Sequence, residues 1–130
     1  KVWGADGTDV DTSPAIGYGL QNTANIIAMD STTDSAAKYC DSYSTTNNGT
    51  LYDDWFLPST DEVRKMILNL CSGTDENGVT FTAISEQFFN DYYSSHDTGP
   101  GAAQFVNKTY GSVQGSTKTS QASIRPVRRF

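Results

Sequence analysis

Asp54-Trp55-Phe56-Leu57-Pro58-Ser59-Thr60-Asp61-Glu62 carries the strongest local instructions in the chain. Trp55, Phe56 and Leu57 form an apolar run too short for a helix and right for a buried strand or core plug. Pro58 ends it, because proline fixes φ and offers no N–H to a ladder. Ser59 then opens a helix, with Glu62 at the third helical position. In a capping box the serine oxygen accepts from that residue's amide while the glutamate reaches back to the serine amide. Asp61 and Glu62 also place negative charge where the helix dipole favours it. Val63, Met66, Ile67 and Leu70 follow at helical spacing, and Gly73 stands where a helix stop belongs. The expectation is a helix over 60–71 with Trp55 and Leu57 beneath its apolar face.

The rest of the chain supports one domain over 1–130, large enough for a single core. Hydrophobic residues make up 36% and charged residues 18%, so the 12% aromatic content must supply much of the burial. Net charge is −6, which repels nucleic acid and anionic membrane at long range. No stretch is long and apolar enough to span a bilayer. No signal peptide is visible, and the chain starting at Lys1 is expected to be a piece of a longer extracellular protein. Cys40 and Cys71 lack metal-ligand spacing, and His96 is the single histidine. The acids Asp6, Asp9 and Asp11 do not have EF-hand spacing and read as a solvated loop. No metal or cofactor is expected.

Outward from the central stretch, residues 23–29 read as a short helix with Asn22 as N-cap and Ile26 and Ile27 inward. A second helix is expected over 35–43, capped by Asp34, with Ala36, Cys40 and Tyr43 on one face. Residues 44–50, with Asn47-Asn48-Gly49, read as a loop. After Gly73 the character turns to short strands, over 79–84 and 103–106, with aromatic doublets Phe88-Phe89 and Tyr92-Tyr93. Residues 108–119 read as a loose hairpin. Residues 124–130 read as an edge or bulged strand because of Pro126. Helices early and strands late make an α+β fold.

Five elements together carry a resemblance. They are Ala15-Ile16-Gly17-x-Gly19-x-Gln21-Asn22-Thr23, Ala37-x-x-Cys40, Asp54-Trp55-Phe56-Leu57-Pro58-Ser59-x-x-Glu62, Tyr92-Tyr93-Ser94-Ser95 and Ile124-Arg125-Pro126-Val127-Arg128-x-Phe130. In this order they resemble the C-terminal domain of Legionella collagen-like adhesins, which is similar to the formylglycine-generating-enzyme branch of the C-type-lectin-like fold. The resemblance implies two or three helices packed on a small twisted antiparallel sheet. It also implies an extracellular or cell- or virion-surface location, at an adhesin, fibre or phage-tail tip. The family's opening strand is absent before Trp3, and Tyr93 stands where the family often has Trp. Trp55, Leu57, Pro58, Ser59, Glu62, Arg125 and Arg128 are expected to be structural.

Catalysis is not expected. The cysteines do not match the late pair of the related enzymes, and His96 has no triad partner in the local sequence. Asp53-Asp54 and Asp61-Glu62 do not make a glycosidase pair, because adjacent acids diverge and Glu62 is explained by capping. The expected ligand surface is Tyr92, Tyr93, Ser94, Ser95, His96 and Gln104, with Asp97 beside them. Rings next to hydroxyl and amide groups suit a glycan or a protein surface. The alternative is a structural subunit of a filament, pilus or tail fibre that self-associates through an open sheet edge. Cys40 and Cys71 are either bridged or two buried thiols. Sulfated-polymer binding is known for adhesins of the family. Here Arg125, Arg128 and Arg129 are expected to pair with Asp53, Asp54 or Asp61, so a neutral glycan or protein surface is favoured over a polyanion.

Overall fold

The computed structural model describes residues 1–71, 73–75, 77–80, 91–107 and 111–129. Among them the chain is α+β, with three helices and two small antiparallel sheets. The helices are α1 (Gly19–Met29), α2 (Ala36–Ser42) and α3 (Thr60–Leu70). The strands are β1 (Thr45–Asn47), β2 (Thr50–Tyr52), β3 (Tyr92–Gly99), β4 (Ala102–Val106) and β5 (Val113–Thr117). β1 pairs with β2, and a separate sheet runs in the order β3-β4-β5.

α3 forms as its sequence dictates. Ser59 accepts from the Glu62 amide and Glu62 Oε2 accepts from the Ser59 amide at 2.7 Å, completing the capping box. Gly73 takes φ of 76°, the left-handed region that suits a helix stop. Val63 and Ile67 are buried, Met66 is half-buried and Leu70 is exposed. Leu57 is fully buried, but it packs in the cluster around Trp3 and Tyr93 rather than beneath Val63 and Ile67 of α3, and Trp55 is not core: it remains partly exposed. The fully buried tryptophan is Trp3.

β3 has core on both faces. Tyr93 packs with Trp3, Ile26, Ala36, Ala37, Cys40, Leu57 and Ala103. Tyr92, one residue away and so on the opposite face, packs with Val63, Ile67 and Val106. The register explains the division, since Tyr93 lies opposite Phe105 and Tyr92 opposite Val106. α3 thus covers one face of the sheet, while the N-terminal segment, α1 and α2 cover the other. The segment around Val2 is held between the start of α2 and residues 118–122. Ala36 N–H donates to Val2 O, Trp3 N–H to Lys118 O and Ala122 N–H to Lys1 O.

Other expectations are corrected. α1 begins at Gly19, so Asn22 lies inside the helix and is buried rather than capping it. Its side chain bonds Ser13 N, Ser13 O and Ser95 Oγ instead. Ser35, not Asp34, caps α2, and Asp34 pairs with Lys1. Tyr43 leaves the helix at ψ of 133° and turns to the surface. The strand over 103–106 lies within β4, and in place of a self-contained 108–119 hairpin β5 (Val113–Thr117) pairs antiparallel with β4; residues 108–110 of that expectation lie outside the described residues. Residues 124–129 form no strand; among the described residues their backbone joins the rest of the chain through a two-bond bridge between Phe56 and Val127. Residues 81–84 of the expected strand, and Phe88 and Phe89, lie outside the described residues. No helix among the described residues is long and apolar enough to cross a membrane.

Candidate functional site

The residues expected to form a ligand surface are mostly interior. Tyr93, Ser94 and Ser95 have 0% exposure and Tyr92 has 7%, which leaves no ring face for a ligand. Their polar atoms are already paired. Tyr93 Oη donates to Ser120 O at 2.9 Å and sits 3.1 Å from Thr117 O. Ser94 Oγ bonds Thr60 Oγ1 at 2.8 Å and Gln104 O at 3.2 Å. Ser95 Oγ accepts from Asn22. Gln104 Oε1 accepts from Thr60 Oγ1 at 2.7 Å. His96 Nδ1 meets Thr12 Oγ1 at 3.1 Å. Burial pushes the His96 imidazole below its ordinary 6.5, against a smaller upward pull from Asp97. These contacts tie β3 to α3, α1 and residues 12–13, so Tyr92, Tyr93, Ser94 and Ser95 belong to the interior, while His96 and Gln104 are half-buried at its margin.

Beside them lies a buried charge. Lys118 is fully buried, and its ammonium bonds Thr8 O at 2.6 Å and Asp97 Oδ2 at 2.9 Å. It also sits 4.9 Å from the Trp3 ring centroid. Asp97 Oδ2 accepts from Val10 N, and its Oδ1 from Gly99 N. Every atom of the pair is satisfied, as a buried pair requires. The cluster pins residues 3–10 to the β3–β5 sheet.

The cysteines are free, and they belong to different cores. Cys40 packs with Trp3 and Tyr93, and Cys71 packs against the Val63–Ile67 cluster. The bridged alternative is therefore corrected. Burial drives the Cys40 thiol up to about 12, with a smaller push from Asp41. Burial also raises the Cys71 thiol, against an opposing pull from half-buried Arg125.

The open chemistry is elsewhere. A groove of about 1240 Å³ lies between the β1–β2 hairpin, the first turns of α3 and the C-terminal segment. Tyr52, Trp55, Phe56 and Met66 make its apolar floor, with Val127 beside them. Thr45, Thr46 and Asn47 border it, and Glu62, Lys65, Arg128 and Arg129 supply its charge. Local contacts hold the floor in place. Trp55 Nε1 donates to Tyr52 O at 3.0 Å, and its ring meets Tyr43 edge-on at 5.2 Å. Tyr39 lies 6.2 Å beyond Tyr43. The Arg128 guanidinium stacks over Tyr52 at 4.5 Å and grips Asp54 through two bonds of 2.7 and 2.9 Å. Its hydrogen bond holds the Asp54 carboxyl below the usual range. Arg129 lies over Phe56 and donates to the Gly17 carbonyl. Glu62 Oε1 accepts from Gly17 N–H. Gly19 is required at this corner, because a Cβ there would lie 2.4 Å from Glu62 Oε2 and 2.8 Å from Phe56.

Among the residues expected to be structural, Trp55, Glu62 and Arg128 thus line the groove, and Arg128 finds the expected acid in Asp54. Tyr52, Thr45, Thr46 and Arg129 were not anticipated as site residues. The signal that could have found them is Asn48-Gly49, a hairpin turn pair between Thr46 and Leu51-Tyr52. No family model and no curated protein matches the chain.

Proposed function

We propose that this chain is a non-catalytic binding module of a cell-surface, fibre-tip or other extracellular protein, and that it takes a glycan or protein ligand in the hairpin groove. The observation that carries this reading is the groove itself. Partly exposed Tyr52 and Trp55 lie beside the polar border Thr45, Thr46 and Asn47 in one open concavity. Apolar floors with a few convergent polar groups are the usual form of a ligand site. The acids near it have structural work that accounts for them: Glu62 caps α3, Asp54 holds Arg128 and Asp61 faces Arg64 at 3.6 Å. The motif resemblance to C-type-lectin-like adhesin domains agrees with a recognition role and a surface location, though fold likeness does not by itself fix function.

A glycan array and a displayed peptide library, each probed with wild type and with Tyr52→Ala/Trp55→Ala, test it. Ligands retained by wild type and lost by the double variant, with its melting temperature still that of a folded domain, support the groove. Ligands bound equally by both proteins overturn it. The self-assembling subunit is the second reading. It is favoured by β5, a terminal strand with mostly exposed residues. Concentration-dependent growth in size-exclusion chromatography, blocked by a proline at Gly115, would support that reading, and a monomer at all concentrations would exclude it.

A further inference from the structure

Resting on the groove reading, we infer that the groove's ligand is an extended peptide that adds as a strand to the outer edge of β1, with apolar side chains over the aromatic floor and a carboxylate against Arg129. Three successive residues, Thr45, Thr46 and Asn47, all border the groove, whereas β2 contributes only Tyr52. Strand side chains alternate between faces, so a concavity reached by three residues in a row is bordered by the strand's edge. The register shows what that edge offers. Asn48 and Gly49 have φ of 50° and 79°, the pattern of a two-residue type I′ turn. Asn47 and Thr50 flank the turn as the hydrogen-bonded pair, so Thr46 and Leu51 form the next, non-hydrogen-bonded pair. The Thr46 N–H and C=O therefore point away from β2. Among the described residues neither has a backbone partner, and β1 ends its sheet.

A sugar hydroxyl can bond a single backbone group, whereas an extended peptide matches the N–H and C=O of a strand edge together: its backbone supplies the missing bonds and its alternate side chains enter the groove. Charge selects further. The chain has 9 cationic and 15 acidic side chains, yet the groove is bordered by Lys65, Arg128 and Arg129 against Glu62 alone. Arg128 is neutralised by Asp54, and Glu62 is held by the Ser59 and Gly17 amides. Arg129 bonds a neutral carbonyl and stacks on a ring, and no ion pair joins it to a carboxylate among the described residues. A single acidic side chain or C-terminal carboxylate completes that arrangement. One such contact gives a modest salt dependence, unlike that of a polyanion.

The test starts from a phage-displayed random dodecapeptide library selected on wild type, counter-selected on Tyr52→Ala/Trp55→Ala. Recovered peptides should alternate apolar residues and carry an acid. The best one, made synthetically with a fluorophore, should lose at least about tenfold in affinity when N-methylated at one set of alternate residues and little at the other set, as strand pairing requires. Replacing its acid by the amide should weaken it about five- to tenfold for wild type and not for Arg129→Ala, and Arg129→Lys should recover part of the loss. The N-methyl series uses unaltered protein, so misfolding cannot mimic the result. Affinity indifferent to N-methylation, or to both the acid and Arg129, overturns the inference. So does a library that yields no groove-dependent peptide while the array yields Trp55-dependent glycans, an outcome that leaves the groove reading standing. Failure of both screens overturns both.

Discussion

Strand β3 from Tyr92 to Asp97, with Gln104 of β4 beside it, and the groove beneath the β1–β2 hairpin have nearly the same ingredients: aromatic rings, short hydroxyls, an amide and charge. In β3 the rings of Tyr92 and Tyr93 and the hydroxyls of Ser94 and Ser95 face other parts of the chain, because core packs on both sides of the strand. In the groove the rings of Tyr52 and Trp55 remain partly exposed above buried Phe56, and all but Tyr52 of the hairpin's strand residues are exposed. Composition therefore marks where recognition chemistry could be, while the number of covered sheet faces determines whether it is available. Tyr and Ser in a one-faced sheet would alternate in and out; in a two-faced sheet they become core and core hydrogen bonds.

The sharpest way to break the comparison is to disturb the interior cluster. Lys118→Met leaves Asp97 buried without its cation and should cost about 3–5 kcal/mol in a urea unfolding experiment. A loss below about 1 kcal/mol would place Lys118 at the surface and remove the clamp on residues 3–10.

The two tryptophans come next. Trp3→Ala should cost about 3–5 kcal/mol, the penalty for deleting a buried large aromatic. Trp55→Ala should cost about 1–2 kcal/mol, reflecting one ring contact and partial burial. Similar losses for both would mean that Trp55 is core and the groove floor is closed.

How far the sequence carried the fold can be read from these residues. The capping box, Leu57 and the inward faces of Val63 and Ile67 were legible because they depend on local spacing. β4 was legible for the same reason. Trp55 was misassigned because its neighbours Phe56 and Leu57 are truly buried, and a run of three apolar residues does not say which one faces out. Asn22 reads as a cap by type, yet its partners Ser13 and Ser95 come together only in the tertiary structure. Tyr92 and Tyr93 could not both be assigned inward without knowing that α3 and α1 lie on opposite faces of one sheet. Lys118 gave no local signal, because its partners Thr8 and Asp97 are distant in the chain. The hairpin had a signal in Asn48-Gly49, but short polar strands look like loop.

A smaller effect concerns pH. Burial keeps the His96 imidazole below 6.5, so the unfolded chain binds a proton more readily than the folded one. Stability from this site is complete above pH 6.5 and falls as pH drops through the lowered folded value. His96→Gln should flatten the change in urea midpoint between pH 7.5 and 5, and an unchanged slope would put His96 in solvent. Asp30 acts in a separate, more acidic window. Burial raises its carboxyl, but bonds from Ala5, Ser35 and Thr32 together outweigh that and leave it below 3.8. Its contribution is present above that value and is lost on further acidification.

The smallest expected signal is chemical. Iodoacetamide at pH 7.5 should label Cys71 slowly and leave Cys40 untouched in the native protein, since Cys40 is fully buried and its thiol is pushed up to about 12. Two rapidly alkylated thiols would contradict the assignment of Cys40 to the core, and a mass showing no free thiol would restore the bridge.

Hydroxyl-radical footprinting read by mass spectrometry tests the contrast between β3 and the groove in one experiment, because rings oxidise in proportion to their exposure. Tyr39, Tyr43, Tyr52 and Trp55 should be modified in the native protein while Trp3, Tyr92 and Tyr93 stay protected until it unfolds. Oxidation of Tyr92 and Tyr93 as fast as Tyr52, or protection of Trp55 equal to that of Trp3, would contradict the account and return the ligand surface to β3.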